Sequence, residues 1–152
     1  MDPYLTLKWL HILSSTVLFG TGIGTAFQMV MAMRSGQAQV IHRVARHVVI
    51  ADWVFTTPAG ILQPVTGIAL AHVAGYSLTA SWLLASYGLY GLAFICWAPV
   101  VRLQITIRDL TAQGEIPQEA LRLYRIWFAL GWPAFAALTA IYWLMVAKPD
   151  LF

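Results

Sequence analysis

Charged side chains are missing from three long stretches of this chain: Trp9 to Met33, Trp53 to Val101, and Ile126 to Ala147. A helix advances about 1.5 Å per residue, so about 20 apolar residues cross a hydrocarbon layer of about 30 Å. The first and third stretches each supply one crossing. The middle stretch is of double length and supplies two, divided at His72-Val-Ala-Gly75-Tyr-Ser77-Leu-Thr79, where glycine ends one helix and Ser77 or Thr79 caps the next. The pattern predicts spans over about 5–33, 48–72, 79–101 and 124–147. Asp2-Pro3 reads as the cap and first turn of the first helix, and Ser35-Gly36 as its close. Gly114 suits the end of the third helix, and Pro117 with Glu119 the start of the fourth. Pro58, Pro64, Pro99 and Pro133 fall inside spans and should kink them. The expected fold is an all-α membrane protein, a single four-helix transmembrane bundle over residues 1–152.

The arginines say which way it faces. Arg34, Arg43 and Arg46 follow the first span; Arg102, Arg108, Arg122 and Arg125 surround the turn between the third and fourth. The turn between the second and third carries none, so the positive-inside rule puts both arginine-rich loops in the cytoplasm and both termini outside. Aromatic belts agree: Tyr4, Trp9, Tyr76, Trp82, Tyr142 and Trp143 fall near the outer boundary, and Trp53, Trp97, Tyr124 and Trp127 near the inner one. The expected place is the bacterial inner (plasma) membrane, crossed several times.

Composition strengthens this picture. Hydrophobic residues make up 60% and charged ones 10%, against roughly 45–50% and 25% in soluble domains. The net charge of +3 belongs with anionic headgroups of the lipid bilayer rather than nucleic acid, because the arginines alternate with spans. The first apolar run is too long for a signal peptide's apolar region, roughly 7–15 residues, and reads as a permanent span. The single cysteine, Cys96, excludes an internal disulfide and a C-x-x-C-H haem attachment.

Candidate chemistry begins with histidine. His11 lies in the outer third of the first span and His72 at the outer end of the second, on consecutive antiparallel helices. Neutral imidazoles there can ligate haem iron or copper between four helices. Lys8 and Arg34 would then contact haem propionates. The alternative is that both histidines bond to headgroups, water or a backbone carbonyl. His42 and His47 sit beside Arg43 and Arg46 and read as a solvated interfacial face, with a buried polar role for His47 as the alternative; His47 is roughly 37 Å from His72 along one helix and cannot share its ligand. Asp52 is the one acid inside a span, a turn or so beyond His47, and the two form a candidate buried polar pair. Arg34, Arg102 or Arg125 could pair with it, fixing the packing, or it could serve as a proton relay or counter-ion. Met29, Met31 and Met33 read as apolar filling rather than a thioether cluster. Gly20 and Gly24 form a G-x-x-x-G spacing that fits internal packing or, alternatively, a homo-oligomer or membrane-complex partner. No nucleotide loop, nucleophile elbow or His-Glu-x-x-His is present. The chain reads as a non-enzyme; were it one, histidine chemistry would make it an oxidoreductase.

Tyr4-Leu-Thr-Leu-Lys8-Trp-Leu-His11-Ile-Leu, a glycine-rich first helix ending in Arg34, Asp52 early in the second and Pro58 beyond it resemble the bacterial integral membrane proteins of domain of unknown function 2269. That resemblance implies a membrane location and carries no activity. More loosely, the Lys8-x-x-His11 helix is similar to membrane-type protoporphyrinogen oxidase, which implies haem b, and to copper-resistance membrane proteins. Leu18-Phe-Gly-Thr-Gly-Ile-Gly departs from the oxidase's Trp-Phe-Ala-Gly-Leu-type segment. Three functional expectations follow: a haem b-binding or redox-associated protein, a small transporter or metal-handling protein, and a non-catalytic accessory subunit.

Overall fold

The computed structural model describes residues 2–152, and within them every regular element is helical. α1 spans Pro3–Arg34, α2 Ala38–Ala51, α3 Thr57–Val73, α4 Ser81–Leu110 and α5 Gln118–Ala147; a π-helical turn, Asp52–Thr56, joins α2 to α3. α2, the π turn and α3 form one continuous rod, so four rods are long and apolar enough to cross a membrane.

The second rod begins at Ala38, ten residues before the span expected from the charge pattern. The reason is amphipathicity. Ala38, Ile41, Ala45, Val48 and Val49 recur on one buried face of α2, while Arg43, Arg46 and His47 lie on the exposed one. The arginines therefore decorate a packed helix instead of a loop.

Pro58 accounts for the π turn. It has no N–H to offer the carbonyl four residues back, and its ring crowds that turn. The chain widens by one residue instead, with the Thr57 N–H donating to the Asp52 carbonyl and the Thr57 hydroxyl donating to it at 2.8 Å. Elsewhere the punctuation matches expectation. The Asp2 side chain caps α1 by accepting from the Tyr4 N–H at 3.0 Å. The turns after α1, α3 and α4 place Gly36, Gly75 and Gly114 at positive φ, where a Cβ would be strained. Ser77 and Thr79 do not cap α4, because their hydroxyls bond to each other at 2.8 Å.

α1 packs along α3 and α4 along α5, with α2 wedged between α1 and α4 near the arginine end. The buried apolar residues fall into two separate groups. One, at the arginine end, joins Met29, Ala32, Ile41, Ala45, Ile107 and Trp127. The other, at the opposite end, joins Ala71, Trp82, Leu83 and Leu144. The C-terminal tail is tied to that end by the Leu151 N–H donating to the Ser81 hydroxyl at 2.9 Å. The outer surface is apolar, with Phe27, Trp53, Ile95 and Val146 all exposed. Water would not tolerate so continuous an apolar perimeter; hydrocarbon matches it.

Candidate functional site

Between the two cores the bundle is hollow. A cavity of about 740 Å³ is walled by all four rods: α1 from Leu18 to Val30, the turn from Thr56 to Ile61, α4 from Tyr90 to Trp97, and α5 from Trp127 to Leu138. The helix pairs touch across it through side-chain tips. Phe19 stacks on Phe135 at 5.3 Å between ring centroids, the Tyr142 hydroxyl donates to the Ser15 carbonyl at 3.0 Å, and the Tyr90 hydroxyl donates to the Gly60 carbonyl. Phe27 and Trp132, which line the cavity on its α1–α5 side, are 65% and 61% exposed, so the space communicates with the surroundings. No titratable side chain lines it except Tyr90. It is suited to an apolar guest, and the hydroxyls that line it, on Thr56, Thr57 and Tyr90, all donate within the protein.

His11 belongs to a different place. Its Nδ1 lies 2.9 Å from the Thr66 hydroxyl, and that hydroxyl lies 2.6 Å from the Leu62 carbonyl. The hydroxyl proton is committed to the carbonyl, so Nδ1–H donates and Nε2 is left bare. The ring sits against Gly67, where an added Cβ would lie 3.0 Å from Cε1. The Gln63 amide donates to the His11 carbonyl at 2.9 Å, and the Ser14 hydroxyl donates to the same carbonyl at 3.1 Å. This small polar knot fastens α1 to α3.

The structure does not bring the proposed cofactor set together. His72 is exposed, and the five residues from Gly67 to His72 rotate by about 500°, so it points roughly 140° away from the face that meets His11. The Lys8 ammonium lies over the Tyr4 ring, 5.6 Å from its centroid. Arg34 is roughly 35 Å from His11 along α1. A haem on His11 fits poorly: the ring is wedged against Gly67, and the cavity large enough for a macrocycle is lined by no histidine, cysteine or methionine. Among the described residues no three metal-ligating side chains converge.

Asp52 is buried at the π turn, facing α4. It accepts from the Thr56 hydroxyl at 2.9 Å, and the Trp97 and Gln104 side chains flank it. The expected arginine partner is not there. Among the described residues the one ion pair is Arg108 with Asp109, at 2.8 Å. Arg34, Arg102 and Arg125 are exposed at the perimeter, and His47 is exposed too, so it fits the solvated face and does not join Asp52 as a buried polar group. Asp52 Oδ2, Gln104 Oε1 and the indole nitrogens of Trp97 and Trp127 are buried without a protein partner. His42, by contrast, ties α2 to α4, its Nδ1 lying 2.7 Å from the Arg108 carbonyl. Gly20 and Gly24 pack against nothing: a Cβ on either would meet no atom within 4 Å, so they do not serve internal packing. Gln63, Thr66, Gly67 and Gln104 were not singled out in the sequence. A polar residue inside an apolar run was the available signal for Gln63 and Thr66.

Fold and surface define a four-span integral membrane protein with a hollow middle. Residues 5–149 match the family described as predicted integral membrane protein (DUF2269), and the chain belongs to it. No curated protein and no solved structure matches the chain significantly.

Proposed function

We propose that this is a multi-pass protein of the bacterial inner membrane, with its arginine-bearing turns in the cytoplasm, that binds a lipophilic molecule between its helix pairs. The cavity carries this reading. Its volume of about 740 Å³ falls within the roughly 300–1,000 Å³ of ligand sites, and its walls are almost wholly aliphatic and aromatic. Empty apolar volume costs stability in proportion to its size. An open seam to lipid offers a way to fill it. The lining residues support binding, and their hydroxyls are committed within the protein.

The haem reading rests on His11 alone, which does not line the cavity and lies against Gly67. The transport reading rests on Asp52, which has one carboxylate and neutral neighbours. Both are weaker than the cavity.

The test is native mass spectrometry of the detergent-purified protein, followed by extraction of what stays bound. One lipophilic molecule per chain is expected, lost from Gly131→Phe and Gly22→Phe, whose new rings enter the cavity from facing walls. Retention by both variants at the level of the unaltered protein would overturn the reading.

A further inference from the structure

Resting on the lipophile reading, we propose that the guest is an anionic membrane phospholipid, one acyl chain in the cavity and its phosphate on Arg34 and Arg125. The α1 residues that line the cavity, Phe19, Ile23, Phe27 and Val30 among them, recur at spacings of three and four. The next position on that stripe is Arg34. On α5 the stripe of Phe135, Trp132 and Phe128 runs back to Arg125 by the same spacing. Each arginine thus continues a cavity wall toward the arginine end, about 6 Å past Val30 and about 4.5 Å before Phe128, beside the open α1–α5 mouth that Phe27 and Trp132 mark.

Three observations make this mouth an anion site on an apolar slot. Both arginines are exposed, and among the described residues neither is paired with a carboxylate. Tyr124 precedes Arg125 on α5: its ring stacks on Trp127 at 5.7 Å, and Arg34 is near enough for its charge to act on the phenol. The slot also has the right depth. From Val30 to Leu18 it extends about 18 Å along α1, close to the thickness of one leaflet, about 15 Å. A chain entering beside a headgroup on Arg34 and Arg125 would run the slot's length without leaving its own leaflet. A zwitterionic lipid would fill the same slot and offer the same phosphate, but its ammonium group would set a third cation beside the two arginines and cancel the net charge they attract.

The experiment uses the full chain in detergent with equal amounts of phosphatidylglycerol and phosphatidylcholine of matched acyl chains, read by native mass spectrometry. The expected result is retention of one phosphatidylglycerol with a preference on the order of 30-fold, about fivefold per arginine. Arg34→Gln with Arg125→Gln should abolish the preference. Arg43→Gln with Arg46→Gln, which removes the same charge from α2, should leave it in place. Equal retention of both lipids by the unaltered protein, lost in Gly131→Phe, would overturn the anionic inference and keep the cavity reading. Loss of preference in the α2 variant as well would also overturn it, since it would mean general surface charge. Failure to retain either lipid, with Gly131→Phe and Gly22→Phe indistinguishable from the unaltered chain, would end both.

Discussion

His11 and Thr66 hold α1 to α3 through one hydrogen bond of 2.9 Å, and the closeness this demands is possible because Gly67 has no side chain. A methyl there would press on the imidazole at 3.0 Å, tighter than an ordinary contact. Gly67→Ala should therefore cost about 1–3 kcal/mol, and His11→Ala about 1 kcal/mol for the lost bond. Because the two act on one contact, the double variant should cost less than the sum, by about 1 kcal/mol. Denaturation in mixed micelles reads all three. Strict additivity would mean that the ring and the glycine do not meet.

Asp52 gives a contrast between neutral and ionic packing. Its hydroxyl partner can still donate to the oxygen of an isosteric amide in its place, and the unpartnered Gln104 Oε1 is an acceptor for the amide's N–H. Asp52→Asn should stay within about 1 kcal/mol of the unaltered protein, whereas Asp52→Ala strands the buried groups around it and should cost about 1–3 kcal/mol. Arg34→Gln, Arg102→Gln and Arg125→Gln should each leave unfolding unchanged. A large loss from any one of them would reveal an ion pair to Asp52.

Oxidised-minus-reduced absorbance, with haem supplied during expression, should show no stoichiometric b-type band. His11 Cε1, the carbon between the ring's two nitrogens, lies against Gly67, and the cavity that could hold a macrocycle is lined by no histidine. A band abolished by His11→Ala would reverse that conclusion.

Sidedness is tested by cysteine labelling in intact cells. The native Cys96 is buried and contributes little background, and Cys96→Ser removes it. In that background, Thr79→Cys should react with an impermeant reagent from outside, while Gln37→Cys and Gln113→Cys should react after the membrane is opened. The reverse pattern would invert the proposed orientation.

The four rods were legible because charge is so costly in hydrocarbon that its absence marks a span. The start of the second rod was not: Arg43, Arg46 and His47 lie on the outer face of an amphipathic helix, and one polar face can look like a loop in a linear reading. His11 was singled out with His72 as its partner, and the structure sets it against Thr66 instead. His72 is near it in height, yet helical rotation turns it aside, and the true partner was the less conspicuous Thr66. Gly20 and Gly24 carried a familiar packing spacing that says nothing about which neighbour is used, and within the chain none is. The cavity had no signature at all. It exists because two apolar clusters close the ends without meeting, a property of how whole helices lean.

Pro64, Pro99 and Pro133 each interrupt the carbonyl ladder of a different rod near the height of the void. A cage pinned at both ends and softened at its waist bows inward when squeezed. Lateral pressure in the surrounding bilayer should therefore govern how much room a guest has, so that a stiffer or more tightly packed membrane would empty this protein without touching a single polar contact.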